Sequence, residues 1–151
     1  LQERNMKIQL IGFIDELPES TKQVVLKAVE DTKNNTGMVL TFALNYGSRA
    51  EIIEATKALA KEVQSGEISV EDINDEAFAS KLQTSFLGEL QDPDLMIRTS
   101  GEVRLSNFLL WQLAYSEYYF TDIFWPDFSE EDLHKAILTY QGRHRRYGGL
   151  A

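Results

Sequence analysis

Two arginines and a serine lie close together where a strand-like run of the sequence passes into a helix-like run. Arg98 ends the segment "DLMIR", Arg104 follows the turn "TSGEV", and Ser106 comes two residues later. Guanidinium groups bind phosphate through paired hydrogen bonds, and the free amides of a helix N-terminus complete such a site. Ser106 is a typical N-cap residue, so we expect a helix to begin there. The spacing predicts a compact anion site. The alternative is that Ser106 only caps the helix while the arginines pair with acids such as Glu102.

A carboxylate near the end of the same apolar run is a second candidate. Glu117 lies between Tyr115 and Tyr118, where it is either a solvated end residue or a partly buried acid with a partner such as a divalent metal. On one unbroken helix, Ser106 and Glu117 would share a face but lie roughly 16 Å apart along the axis. Both could serve one site only if the helix breaks or a second chain supplies the acid, which is a first reason to expect a dimer.

Other kinds of catalytic site have no support in the sequence. His134 is expected at an ordinary position on the last helix, and His144 belongs to the tail. No His pair, Ser–His–Asp order or metal-binding cluster occurs, so a catalytic triad has no support. Neither a Walker-type loop nor a G-x-G-x-x-G loop occurs, so a nucleotide-binding fold is not indicated. Cysteine is absent, which excludes disulfides, thiolate metal sites and thiol nucleophiles, and which fits a cytoplasmic protein.

The elements that must position these residues alternate between strand and helix. The patterns of the first part predict a strand over 7–13, a helix from 19 to about 35, a strand over 38–46 covered on both faces, a helix over 48–66 and further helix within 69–90. Those of the second part predict a strand over 94–98, an apolar helix over 106–120, a short strand or extended segment over 120–125 and a last helix from Ser129. Such alternation predicts an α/β fold, a parallel sheet with right-handed crossovers that is flanked by helices. Ligands of such sheets collect at the carboxyl ends of the strands, where Arg98 stands, and where Asn45 and Arg49 follow the second strand.

Length and charge indicate how many domains the chain forms and which partners it can bind. The 151 residues predict a single domain over 1–151, able to bury roughly 70% of the surface of its unfolded chain. The net charge is −9, yet the last eleven residues hold three arginines and no acid. An acidic body argues against a nucleic-acid partner, because phosphate neutralisation needs a basic face. The basic tail is either a solvated terminus or a local binding element.

The predicted sheet is thin, and the chain opens almost directly on a strand. A parallel strand left as an edge exposes unpaired backbone groups. We therefore expect the chain to be the C-terminal part of a larger protein, with the N-terminal strands of the sheet missing from it.

The combined motifs resemble those of the cis-prenyltransferase family, in particular the bacterial undecaprenyl diphosphate synthases. The resemblance rests on "DLMIRTSGEVRLSNFLLWQLAYSEYYF" with the following "FWPDF", on "LNYGSRAEI" and on the terminal "GRHRRYGGL". It runs from about residue 6 to the end of the chain. It implies the fold of that family and a homodimer built around Glu102 and the segment after it.

The resemblance also implies a role for each candidate residue. By that likeness, Arg98, Arg104 and Ser106 hold the diphosphate of isopentenyl diphosphate, and Glu117 is associated with Mg²⁺. The tail, with Arg143, Arg145, Arg146 and Gly148, is similar to a family segment that reaches towards the active site of the partner subunit.

The implied reaction is repeated condensation of isopentenyl diphosphate with an allylic diphosphate such as farnesyl diphosphate, forming cis double bonds. Its product, undecaprenyl diphosphate, is the precursor of the lipid carrier for cell-wall synthesis, and product and enzyme would associate with a membrane surface. The family's "DGNGRWA"-type loop, which carries its catalytic aspartate, does not occur in these 151 residues. We therefore expect no catalytic residue within the chain, and no activity from the chain alone. The alternative is a non-catalytic partner subunit or phosphate-binding interaction module of the same fold.

Overall fold

The structure, a computed structural model, describes residues 2–143. They divide into two compact units, and the boundary lies between Phe86 and Leu87. The helices and strands are β1 (Lys7–Ile11), α1 (Glu19–Thr32), β2 (Val39–Ala43), α2 (Ser48–Ser65), α3 (Asp75–Ala79), β3 (Leu95–Arg98), β4 (Glu117–Phe120) and α4 (Glu130–Gln141). Short 3-10 helices cover Gln2–Arg4, Ile14–Glu16, Val70–Asp72, Ser85–Leu90 and Trp125–Asp127.

The first unit is built on a parallel pair of strands, β1 and β2, in which Lys7 pairs with Val39 and Ile11 with Ala43. Its core is apolar and comes from β1, α2 and the segment after α3: Ile8, Ile11, Ala55, Leu59 and Leu82. The apolar run of β2 predicts a strand covered on both faces. Instead, Val39 and Phe42 are 40% and 45% exposed in the described structure. An apolar run marks a strand, but it does not say what covers each face.

Gly12 follows β1 in a conformation that a side chain would not allow. Its φ is +118°, and a Cβ atom at this position would lie 1.8 Å from the Leu44 carbonyl oxygen. The close approach lets the two strands stay paired beyond their ends, because the Leu44 amide donates to the Ile11 carbonyl at 2.9 Å and the Phe13 amide donates to the Asn45 carbonyl at 3.0 Å. The loops after β1 and β2 are therefore held side by side.

The second unit contains the parallel pair β3 and β4, in which Leu95 pairs with Glu117 and Arg98 with Phe120. The pairing continues past the strands, since the Thr121 amide donates to the Arg98 carbonyl at 3.0 Å and the Ser100 amide to the Ile123 carbonyl at 2.8 Å. The core of this unit includes Met96, Leu109, Leu113 and Ala136.

The predicted helix over 106–120 is wrong. Ser106, Asn107 and Leu109 have φ values of 50°, 63° and 45°, which a right-handed helix cannot contain. Turns occupy the segment up to Tyr115, and the residues from Glu117 onward form β4. The stretch over 120–125, predicted as a short strand or an extended segment, is strand only at its first residue, because β4 ends at Phe120. A continuous apolar run does not distinguish a buried helix from turns and a buried strand.

The start of α4 and the end of α2 agree with the sequence, which predicts one helix from Ser129 and another up to Gly66. Ser129 and Asp132 form a capping box at the start of α4, and Ser69 and Asp72 form another before a 3-10 helix. α2 ends at the left-handed residue Gly66, with φ of 79°. α3 begins at Asp75, directly after its N-cap Asn74.

The predicted α/β class, with parallel strands flanked by helices, is confirmed. The parallel strands occur as one pair in each unit. Within residues 2–143, no helix combines the length and apolar character needed to cross a membrane.

Candidate functional site

Arg98 lies where the sequence predicts it, at the carboxyl end of β3. It is half-buried, and its carbonyl is engaged in the strand pairing with Thr121. Among residues 2–143, its guanidinium has no ion pair and no hydrogen bond. A half-buried cation without a counter-ion is a ready partner for an anion, because guanidinium binds phosphate with charge-assisted hydrogen bonds.

The turn after Arg98 is fixed by the backbone. Ser100 and Gly101 both have positive φ, 68° and 69°, and the Gly101 amide donates to the Thr121 carbonyl at 3.0 Å. A Cβ atom on Gly101 would lie 3.1 Å from an Asp122 carboxylate oxygen. The tight turn therefore determines where the chain leaves β3 on its way to Arg104.

Arg104 and Ser106 differ from the sequence prediction in their surroundings. Arg104 is exposed and forms an ion pair with Glu102, which is the alternative that the sequence left open. Ser106 is exposed and has a left-handed φ, and no helix starts there. The predicted contribution of helix-terminal amides to the anion site is therefore wrong, and the candidate anion ligands are the two guanidiniums and the hydroxyl.

Strand pairing separates Glu117 from Arg98. Glu117 is paired with Leu95, three residues before Arg98, which corresponds to roughly 10 Å along the strands. Side chains alternate between the faces of a strand, so Glu117 shares a face with Leu95 and Arg98 lies on the other face. The helix geometry that suggested a second chain does not apply, because the segment is not helical.

Glu117 has a partner that the sequence did not predict. Arg143 Nη1 donates to Glu117 Oε2 at 3.0 Å and to the Tyr118 carbonyl at 2.6 Å. The Glu117 side chain is 25% exposed. The two residues are 26 positions apart, so no local pattern reveals the pair. Arg145, Arg146 and Gly148 of the predicted tail lie outside the described residues.

The donors present fit Mg²⁺ only in part. The described part of the chain contains no group of three His, Cys, Asp or Glu side chains that could hold a metal ion. Mg²⁺, however, is commonly held by one or two carboxylates together with substrate phosphates and water. Glu117 fits as a single protein ligand of that kind, since its Oε1 accepts no hydrogen bond from a described residue.

A second polar cluster follows β2 in the first unit. The Asn45 amide group donates to the Phe13 carbonyl at 3.0 Å and to Glu16 Oε2 at 2.8 Å. Next to it lies an open cavity of about 470 Å³. Its lining combines apolar and charged side chains: Phe13, Glu16, Arg49, Ala50, Ile53 and Glu54.

Glu51 lies in the first turn of α2. In the structure Gly47 is the N-cap, and Glu51 is 2% exposed. Its carboxylate accepts a hydrogen bond from the Tyr46 hydroxyl and another, at 2.8 Å, from the backbone amide of Gln83. The Gln83 side chain in turn accepts from the Gly12 amide, so this network joins the loops that follow both strands.

The family model for undecaprenyl diphosphate synthase matches residues 1–148. An isoprenyl transferase of Halalkalibacterium halodurans is 55% identical over 99% of this chain and 57% of its own length. The ditrans,polycis-undecaprenyl-diphosphate synthase ((2E,6E)-farnesyl-diphosphate specific) of Micrococcus luteus is 56% identical over 99% of this chain and 59% of its own length.

A solved structure has the same fold. The crystal structure of lavandulyl diphosphate synthase from Lavandula x intermedia, in complex with dimethylallyl diphosphate, has a TM-score of 0.93 and 37% sequence identity. It covers 97% of this chain and 62% of that protein. The chain therefore spans less than two thirds of the length of these proteins.

Proposed function

The chain belongs to the undecaprenyl diphosphate synthase family, and we propose that it forms the isopentenyl diphosphate-binding part of a cis-prenyltransferase. Such an enzyme condenses isopentenyl diphosphate with an allylic diphosphate, such as farnesyl diphosphate, to make long-chain cis-polyprenyl diphosphate for the cell-wall lipid carrier. The observation that carries the proposal is the Arg98 guanidinium, half-buried at the carboxyl end of a parallel strand and without a described counter-ion. A diphosphate supplies the missing negative charge.

The three candidate ligands would bind the diphosphate in different ways. Arg98 is available as it stands and is the anchor. Arg104 must exchange Glu102 for the diphosphate, an exchange between two anionic partners of an exposed guanidinium. The Ser106 hydroxyl is exposed and can donate one hydrogen bond to a phosphate oxygen. Together these residues hold the acceptor substrate in place, which lowers the entropic barrier to condensation.

Glu117 would supply one carboxylate to Mg²⁺. Bound Mg²⁺ would offset the charge that develops on the departing allylic diphosphate. The β3–β4 register supports two separate roles on the two faces of this strand pair. Arg98 would bind the acceptor diphosphate on one face, and Glu117 would bind Mg²⁺ on the other.

The rest of the enzyme would come from outside these 151 residues. The family's catalytic aspartate loop does not occur in the chain, which spans 57% of the Halalkalibacterium halodurans relative. We therefore infer that the chain alone does not elongate farnesyl diphosphate. The complete protein would act as a homodimer in the cytoplasm, with the arginine-rich tail close to the partner's active site and the lipid product at a membrane surface.

A second candidate is a non-catalytic partner subunit of the same fold. It is favoured by the two ion pairs in which Arg104 and Glu117 already have protein partners. The unpaired Arg98 favours the enzyme instead, because a purely structural module has no need of a half-buried cation without a counter-ion.

Calorimetric titration with isopentenyl diphosphate tests the proposal. We expect saturable binding to the purified chain, and a loss of affinity of about tenfold or more in Arg98→Ala, because a charge-assisted hydrogen bond contributes roughly 1.5–3 kcal/mol. Lys135→Ala, which removes an exposed charge from α4, is the matched control and keeps wild-type affinity. A folded chain that does not bind isopentenyl diphosphate, or an Arg98→Ala variant that binds as tightly as wild type, contradicts the proposal.

A further inference from the structure

The ion pair between Arg143 and Glu117 carries an inference beyond substrate binding. We propose that Arg143 is a built-in counter-cation for Glu117, which a divalent metal must displace before Glu117 can serve as its ligand. Metal binding and the Arg143 contact would then exclude each other. The inference rests on the proposed role of Glu117 and adds a regulatory contact to it.

Arg143 is attached to β4 at two points through a single nitrogen. Its Nη1 donates one hydrogen bond to Glu117 Oε2 at 3.0 Å and the other to the Tyr118 carbonyl at 2.6 Å. An Nη nitrogen of arginine carries two hydrogens, so both are used. The contact joins the residue two positions after α4 to the start of β4.

The Tyr118 carbonyl explains why this position suits a cation. The amides of Glu117 and Thr121 donate to β3, so the odd-numbered residues of β4 have their backbone groups towards β3. In a parallel ladder the intervening residues direct theirs to the opposite side. The Tyr118 carbonyl therefore lies on the open edge of the β3–β4 pair, where Arg143 satisfies it.

Guanidinium and metal would compete for one negative charge. Within residues 2–143 no further acidic groups cluster with Glu117 to form a metal site, so the carboxylate cannot offset a guanidinium and a dication together. A Mg²⁺ ion held by Glu117, with Arg143 still on Oε2, would be close to a second cation. Repulsion between them at a partly exposed site would weaken metal binding by about tenfold.

By linkage, the coupling acts in both directions. If Arg143 lowers the affinity of Glu117 for Mg²⁺, then Mg²⁺ weakens the hold of Arg143 on β4 by the same factor. The metal would thus control whether the end of α4 stays attached to β4.

Nuclear magnetic resonance with Mg²⁺ as the probe tests this coupling without an activity assay. The backbone amides of Glu117 and Tyr118 report metal binding, and the Nε–H signal of Arg143 reports its contact. We expect Arg143→Gln to bind Mg²⁺ about tenfold more tightly than wild type, and Lys135→Gln, which removes one charge from the exposed surface of α4, to change affinity by less than about threefold. In wild type, the Arg143 signal is expected to shift along the same titration curve as the Glu117 amide.

Glu117→Gln separates the inference from the proposed function. If this variant loses the Mg²⁺-dependent shifts while Arg143→Gln binds no more tightly than wild type, Glu117 is a metal ligand and the competition is refuted. If Arg143→Gln binds more weakly, Arg143 orients Glu117 for the metal, which also refutes it. If Glu117→Gln keeps wild-type Mg²⁺ binding, both the proposed metal-binding role of Glu117 and its competition with Arg143 are refuted.

Discussion

Gly12→Ala should destabilise the first unit far more than the same substitution at Gly66. Both glycines have positive φ, 118° and 79°, so each substitution forces alanine into a conformation that costs about 1–2 kcal/mol. At Gly66 nothing lies within 4 Å of the new Cβ atom, and the cost ends there. At Gly12 the new atom would lie 1.8 Å from the Leu44 carbonyl oxygen, which is far inside van der Waals contact.

The overlap at Gly12 can be relieved only by moving the two strand ends apart. That movement breaks the hydrogen bonds of the Leu44 and Phe13 amides, each contributing about 1 kcal/mol. We therefore expect Gly12→Ala to lower the free energy of unfolding by about 3–4 kcal/mol, against about 1–2 kcal/mol for Gly66→Ala.

Urea unfolding followed by far-ultraviolet circular dichroism measures this difference as a shift in the midpoint concentration. Native domains have only about 5–15 kcal/mol of stability, so a Gly12→Ala variant that does not fold, beside a folded Gly66→Ala variant, agrees with the reasoning. Equal destabilisation by the two substitutions would show that the close approach of Gly12 to Leu44 does not exist in solution.

Three further predictions concern the second unit and the activity. Glu102→Gln should raise the affinity for isopentenyl diphosphate by up to about fivefold, because it releases Arg104 from an exposed ion pair that contributes roughly 0.2–1 kcal/mol. Unchanged or weaker binding in calorimetry would contradict a diphosphate-binding role for Arg104. Ser129 donates hydrogen bonds that hold the pKa of the Asp132 carboxyl below its usual range, so the stability that Asp132 contributes is present in full above its unfolded pKa of about 4 and is lost as pH falls through the lower folded value. The stability difference between wild type and Asp132→Asn in urea unfolding should therefore shrink on acidification, and a difference that grows would reverse the assignment. The 151-residue chain, incubated with farnesyl diphosphate, isopentenyl diphosphate and Mg²⁺, should give no elongated product by mass spectrometry; a product would place the catalytic groups within the chain.

The parts of the fold that the sequence predicts well depend on local chemistry. Ser129 with Asp132 specifies a capping box because both partners lie within one turn, and Gly66 ends α2 because glycine accepts positive φ. The helix prediction over 106–120 is wrong because local patterns do not contain the information that decides the structure of this segment. Its apolar run satisfies a helix and a turn-plus-strand equally well, and the choice depends on the parallel pairing of β4 with β3, which no local pattern contains.

In the candidate site, too, the sequence predicts some features and not others. Arg98 is predictable, because a polar residue at the end of a short apolar strand marks the ligand edge of a parallel sheet. The partner of Glu117 is not, since Arg143 is 26 residues away and reaches it only through the packing of α4. Glu117 and Arg98 lie on opposite faces because of the register between β3 and β4. A shift of that register by one residue would place them on the same face.

Determining the structure of the chain with isopentenyl diphosphate bound tests the central claim most directly. The account predicts the diphosphate at the carboxyl end of β3, with a guanidinium nitrogen of Arg98 within about 3 Å of a phosphate oxygen. A diphosphate bound elsewhere, with Arg98 left without a contact to it, would contradict the account.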